Sequence, residues 1–227
     1  MLYDEKAVRD NLRNRDGKRV FYLGQGDQLT PSARDWLSRE RIEVLPASQA
    51  RPQRFALPGG GYCEEKPEHM THLNGQMLVP KTHPRIRFRG EMDKLEAELI
   101  LCRLRTGVKE LEQVLALARR LIRCDVLGEP VGEMTLCGLT EEQIRRRSHF
   151  PQEHFGIAHF MPEPADGETV AYLNRCRAIC RGAELAACHA FSDREGVPTR
   201  PDILQALNRM SSMLYLLMLE AKKATAV

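Results

Sequence analysis

The sequence predicts a mainly α protein, an antiparallel five-helix bundle carrying a small N-terminal α/β appendage. Three observations carry that reading. Five segments after Phe88 place apolar residues at spacings of three and four. The connections between them are mostly short, as antiparallel neighbours require. Short apolar runs of strand type lie in the region before Ala47. Residues 1–66 thus read as a strand–helix–strand unit followed by a linker, and residues 67–227 as the bundle domain.

Taken in order, residues 19–23 (RVFYL) read as a strand. Thr30-Pro31-Ser32-Ala33-Arg34 reads as a helix start, with Thr30 as cap and Pro31 at the first helical position. That helix runs to about Arg39, and residues 42–46 (IEVLP) form a second strand. The stretch from Ala47 to Pro67 is rich in proline and holds three consecutive glycines, Gly59 to Gly61, so it reads as a linker or flap. Met92, Leu95, Leu99 and Cys102 mark a helix over 89–105, and Leu111, Leu115, Ala118 and Ile122 mark one over 108–124. Thr140-Glu-Glu-Gln143 has the capping-box form and opens a shorter helix. After a loop rich in His and Pro, a long helix runs over 168–190, and the last follows Thr199-Arg-Pro201 to about Lys222.

Composition narrows the class. Apolar residues make up 42% and charged residues 29%, which excludes disordered and fibrous chains. The first residues alternate charge with apolar side chains and do not read as a signal peptide. The longest dense apolar run, Leu214 to Leu219, is far shorter than the roughly 20 residues that span a bilayer. A cytoplasmic location without membrane contact is therefore expected. A net charge of +3 is too small to argue for nucleic acid, and the few aromatics are not interleaved with the arginines. The seven cysteines are odd in number and fall mostly in apolar helical patterns, as reduced thiols do.

Three segments can carry chemistry. In 174–191, Leu173, Cys176, Cys180, Ala183 and Ala187 form an apolar stripe, while Arg177, Arg181 and Glu184 form a second one rotated by about 100°. Two permanently charged guanidinium groups one turn apart suit a polyphosphate. A solvated face with an Arg181–Glu184 pair fits the same pattern. Cys176 and Cys180 have the spacing of metal ligands and equally that of small core residues. In 200–218, Asn208, Ser212 and Tyr215 share the edge of the buried face, where an asparagine either binds a ligand or holds structure. In 79–99, Lys81, Arg85, Arg87 and Arg89 precede or open a helix with Asp93 in its first turn; this basic run either binds phosphate or solvates a loop.

Together these segments resemble the ATP:corrinoid adenosyltransferases of the ethanolamine-utilisation type. The resemblance rests on Leu29-Thr-Pro-Ser-Ala-Arg34, Lys66-Pro67, Thr71-His-Leu73, Pro84-Arg85, Phe88-Arg89-Gly90, Asp93 and Arg200-Pro-Asp-Ile-Leu-Gln-Ala-Leu-Asn-Arg209. The related propanediol-utilisation type is echoed by Gly90-Glu-Met-Asp93-Lys-Leu95, Arg177-Ala-Ile-Cys-Arg181-Gly-Ala-Glu184 and Leu207-Asn-Arg-Met-Ser211. The resemblance implies transfer of the 5′-deoxyadenosyl group of ATP to cob(I)alamin. It implies that Arg177, Arg181 and Lys81 hold the triphosphate, that Asp93 pairs with Arg177 across a subunit interface, and that Glu184 and Asn208 line the ATP pocket. Magnesium would accompany the phosphates. The family's corrinoid-facing phenylalanine corresponds to His159, with Phe160 beside it, so these two stand as the cobalamin-binding candidates. A homo-oligomer, a flavoprotein reductase and association with a bacterial microcompartment belong to the same expectation.

Some relatives of this type bind a transition metal through a His and a Cys-Cys-x-x-Cys cluster. Here the corresponding GGGYCEEKPEH offers only Cys63, with His69 and His72 nearby, so no resident metal is expected. Gly24-Gln-Gly-Asp27 looks like a phosphate loop but fits a turn better. The rival reading is a non-catalytic corrinoid-binding chaperone or scaffold of a microcompartment.

Overall fold

The computed structural model describes residues 1–15, 17–50, 54–75 and 77–225. The chain is mainly helical and divides into two units, Met1–Arg54 and Phe55–Val227.

The first unit contains β1 (Leu2–Tyr3), α1 (Glu5–Asp10), β2 (Arg13–Arg15), β3 (Lys18–Leu23), β4 (Gln28–Leu29), α2 (Pro31–Arg39) and β5 (Glu43–Pro46). The expected strand–helix–strand is β3, α2 and β5. Its two strands pair in parallel from Val20↔Glu43 to Leu23↔Pro46, and β2 adds an antiparallel edge. Thr30 caps α2 by accepting the Ala33 N–H at 3.3 Å, and Pro31 occupies the first turn. Val8, Phe21, Ala33, Trp36 and Leu37 form the unit's small core. Gly24–Asp27 is a turn: the Asp27 N–H donates to the Gly24 carbonyl at 3.1 Å, and a Cβ on Gly24 would lie 2.5 Å from Asp27 Oδ2. β1 and α1 are too short to have shown a period in the sequence.

The stretch expected as a linker or flap is partly ordered; residues 51–53 of it lie outside the described residues. A short 3-10 turn covers Ala47–Gln49. β6 (Phe55–Ala56) and β7 (Tyr62–Cys63) then join β8 (Met70–Asn74) and β9 (Met77–Pro80) in a four-stranded sheet of order β7-β6-β9-β8. Phe55, Met70 and Leu78 cover one another at its centre. Two-residue strands leave no alternation in the sequence, so only the Pro- and Gly-rich composition shows here.

The helices follow: α3 (Pro84–Thr106), α4 (Leu111–Leu127), the hairpin β10 (Thr135–Leu136) and β11 (Leu139–Thr140), α5 (Glu141–His149), α6 (Pro151–Phe155), α7 (Glu168–Ala190) and α8 (Pro201–Thr225). All five expected helices are present, and α6 is an additional turn. α5 opens with the capping box: the Gln143 N–H donates to Thr140 Oγ1 at 3.3 Å, and the Thr140 N–H donates to Gln143 Oε1 at 2.9 Å. α3 starts five residues earlier than its periodicity suggested, because Pro84 supplies the first-turn geometry and His83 Nδ1 accepts the Arg85 N–H at 3.2 Å. It stops at Gly107, whose left-handed φ of 73° closes the helix.

α3 packs against α4 and α7, α7 against α8, and α8 against α5. The expected stripes are the buried ones: Met92, Leu95, Leu99 and Cys102 on α3, with Leu173, Cys176, Cys180, Ala183 and Ala187 on α7, are fully buried. Each leucine so buried contributes about 1.5–3 kcal/mol relative to exposure. The contacts fix which ends meet. Phe88 near the start of α3 lies edge-on to Phe191 just past α7, with centroids 5.3 Å apart. Farther along, Glu98 of α3 is 3.0 Å from Arg175 of α7, an ion-pair contact without hydrogen-bond alignment. Among the described residues no helix is long and apolar enough to cross a membrane.

Candidate active site

A cleft of about 300 Å³ opens where the end of α5, the loop before α7, and the middle of α7 and α8 converge. Its walls are Ser148, His149, His159, Phe160, Arg177, Ser211, Ser212 and Tyr215. Three candidates from two segments, His159 and Phe160 in the loop and Arg177 on α7, therefore face one space. Tyr215 joins them. Its ring stacks on His159 (centroids 5.8 Å apart, planes 13° apart) and on Phe160 (6.0 Å, 29°). The Arg177 guanidinium carbon lies 5.6 Å from the centre of the same ring. Phe160 is flanked on another side by Lys222, whose Nζ is 4.5 Å from its centroid and pairs with Asp166. That ion pair holds the Asp166 carboxyl below its ordinary range.

His159 is exposed, yet both of its ring nitrogens are engaged. Nδ1 lies 3.2 Å from the Tyr215 hydroxyl and Nε2 lies 3.2 Å from the His149 carbonyl oxygen. Tyr215 sits in the α8 run Met213–Leu219, which is buried throughout. In the sequence such a residue reads as packing at a core edge; nothing local reveals that its hydroxyl reaches 56 positions back along the chain.

Farther along the α7–α8 seam, the Asn208 amide donates to Glu184 Oε1 at 3.1 Å, so this expected pair is also brought together. Asn208 is exposed. The neighbouring Arg209 is half-buried beside Arg145, and burial and that like charge both push its guanidinium down. Glu141 and Glu184 pull the other way, so the seam carries charges of both signs. Arg181 is exposed on α7 and has no ion pair among the described residues.

Lys81 and Asp93 are not brought to this cleft. Asp93 is exposed on α3. Lys81 lies three residues before α3, whose first turns meet the end of α7 at Phe191. That is ten residues beyond Arg181, or roughly 15 Å at the helical rise.

The basic run before and within α3 resolves into structure. Arg85 Nε donates to Asp125 Oδ1 at 2.7 Å, and Arg89 Nε donates to Asp125 Oδ2 at 2.6 Å; Asp125 is fully buried. Arg85 Nη2 also donates to the Asp125 carbonyl at 2.6 Å, and Arg89 Nη2 to the Leu73 carbonyl at 2.7 Å. Arg200 bonds the Cys124 and Glu129 carbonyls at 3.3 and 2.8 Å and pairs with Asp202, whose carboxylate accepts the Val131 N–H at 3.0 Å. Arg85 and Arg200 thus cap C-terminal carbonyls of α4, and Arg89 binds its Asp125 carboxylate, so the three motif arginines tie α3, α8 and β8 to α4. Cations belong at that end of a helix dipole.

Cys176 and Cys180 are core residues: their thiols donate to the Glu98 and Leu207 carbonyls at 3.7 and 3.6 Å, and burial pushes the Cys180 thiol up. Cys63 is half-buried against the sheet core, and the His72 ring lies edge-on to Phe55 at 5.4 Å. Among the described residues no three His, Cys, Asp or Glu side chains are grouped to hold a metal ion.

The cobalamin adenosyltransferase family model matches residues 61–221, which include all of the cleft. The chain belongs to this family. It is 30% identical to the corrinoid adenosyltransferase EutT of Escherichia coli K12 over 241 aligned positions, covering 95% of this chain and 90% of that relative. EutT of Salmonella typhimurium LT2 is 29% identical over the same shares. The similarity to these relatives therefore extends through the N-terminal unit, upstream of the family match.

Proposed function

We propose that the chain transfers the 5′-deoxyadenosyl group of ATP to cob(I)alamin, forming adenosylcobalamin and releasing triphosphate. The observation that carries this reading is the cleft in which Arg177 meets His159, Phe160 and Tyr215, within a member of the cobalamin adenosyltransferase family. Cobalt(I) supplies an electron pair to the 5′ carbon, the C5′–O bond breaks, and triphosphate leaves with that bond's pair. Negative charge grows on the leaving group, so fixed cations beside it lower the barrier. Arg177 and Arg181 take that role on the exposed flank of α7. Glu184 and Asn208, held to each other, line the nucleotide side. Magnesium suits the same flank: Glu184 keeps one carboxylate oxygen beyond the one that accepts Asn208, and the metal would neutralise phosphate charge. His159 and Phe160 form the corrinoid side.

The site is completed by a second copy of the chain. Asp93 is exposed, and Lys81 lies well along the bundle from Arg181 within one subunit. Both fit a homo-oligomer in which Asp93 meets the Arg177 of a neighbour and Lys81 reaches its triphosphate. The scaffold is a bundle whose four long helices run antiparallel to their neighbours. α5 runs with α8, as the Gln205–Glu141 hydrogen bond near their starts and the shared lining of the cleft by Ser148 and Ser212 support. A flavoprotein supplies the electron, and the setting is cytoplasmic, with a microcompartment nearby.

The deciding test incubates the protein with ATP, magnesium and chemically reduced cobalamin and follows the visible spectrum of adenosylcobalamin. Corrinoid binding without product would establish the chaperone or scaffold reading instead.

A further inference from the structure

We infer that Tyr215 is a positioning residue that keeps His159 from ligating cobalt. The inference rests on the reading that the corrinoid occupies the cleft at His159 and Phe160. A carbonyl oxygen only accepts, so the contact at 3.2 Å from the His149 oxygen places the hydrogen of the neutral ring on Nε2. The lone pair then lies on Nδ1, and the Tyr215 hydroxyl donates to it at 3.2 Å. Both nitrogens are spent, and the ring is pinned further by stacking on the tyrosine. The corrinoid meets an imidazole with no free donor atom.

The chemistry gives this arrangement a purpose. Imidazole nitrogen is a strong axial ligand for cobalt(II) and cobalt(III), whereas cobalt(I), with its filled axial orbital, rejects axial donors. A ligating histidine therefore stabilises cobalt(II) against the one-electron reduction that must precede adenosyl transfer. An accessible histidine in the cleft wall is a hazard unless it is locked. The packing of Tyr215 against Phe160 and Arg177 needs only an aromatic ring. Among the described residues its hydroxyl has one partner, His159, so the hydroxyl is what the lock requires.

The test uses the untagged full chain and cob(II)inamide, which lacks the nucleotide base, so that any axial nitrogen comes from the protein. The electron paramagnetic resonance spectrum of the wild-type complex with ATP is expected to lack nitrogen superhyperfine splitting. Tyr215→Phe is expected to acquire it, and adding His159→Phe to that variant to remove it. Turnover of Tyr215→Phe should fall further when the reaction starts from cobalt(II) with a weak reductant than from cobalt(I) pre-reduced with titanium(III), which donates the electron beforehand. Nitrogen splitting in the wild type, none in Tyr215→Phe, or equal deficits from both starting states would overturn the proposal while leaving the site assignment standing. A wild-type protein that neither binds nor adenosylates the corrinoid overturns the site assignment and this inference with it. Independently of any variant's folding, ¹⁵N-histidine NMR of the wild type should show His159 as the Nε2–H tautomer; the Nδ1–H tautomer refutes the lock.

Discussion

Asp125→Asn removes the negative charge on which two arginines converge. Asp125 is fully buried and accepts from Arg85 and Arg89 at 2.7 and 2.6 Å, while these side chains retain 24% and 16% exposure. Breaking a fully buried ion pair by removing one partner costs about 3–5 kcal/mol. Water reaches both guanidinium groups, and an asparagine oxygen still accepts one N–H, so about 2–4 kcal/mol is expected here. For a chain of this size that lowers the melting temperature by roughly 4–16 °C. Urea unfolding followed by far-UV circular dichroism, with linear extrapolation, measures the difference. Adenosyl transfer per folded molecule should keep its KM for ATP, since neither arginine is free for phosphate. A stability within about 0.5 kcal/mol of wild type, together with a raised KM for ATP, would refute the structural assignment and return the basic run to the nucleotide.

Arg177→Ala and Arg181→Ala should each leave the protein folded and raise the barrier by about 2–4 kcal/mol; single-turnover rates near wild type in both would remove their role on the triphosphate. The active species should be oligomeric, and Asp93→Ala should impair turnover through a neighbour's Arg177; sedimentation of an active monomer would rule this out. Activity should survive strict chelation of transition metals and depend on magnesium; stoichiometric iron or zinc, found by elemental analysis and needed for turnover, would show a metal site built by another route. Asp202, with Arg200 holding its carboxyl down at about 2 against an ordinary 3.8, has its folded pKa below its unfolded one. The unfolded chain therefore binds more protons between these values. The contribution of Asp202, at most about 2 kcal/mol, should be complete above pH 4 and vanish as pH falls towards 2 in acid-unfolding curves, and Asp202→Asn should lack that slope.

What the sequence disclosed, and what it withheld, divides by the range of the interaction. Helices α3, α4, α7 and α8 were legible because each buries one stripe whose period is local. The cap at Thr30 and the box at Thr140–Gln143 were legible because the partner lies three residues away. The sheet β7-β6-β9-β8 was not, because its strands are short and their pairing, such as Phe55↔Cys63, is set across a loop. The same rule separates the site residues. Arg177 and Arg181 announced themselves as a stripe one turn apart. Tyr215 and Asp125 did not, since each looks like part of an apolar helix until its partners arrive from 56 and 40 positions away. The motif arginines show the consequence most clearly. Arg85 and Arg89 carry the family resemblance, and a basic run beside a helix start looks like a phosphate cradle. Their charge is instead consumed at the C-terminal end of α4, which joins α3 to the sheet through Leu73 and to α8 through Arg200. Resemblance to a motif therefore does not say what a residue does. Arg177 and Arg181 have no ion pair among the described residues, which is why the proposed role on the triphosphate falls to them.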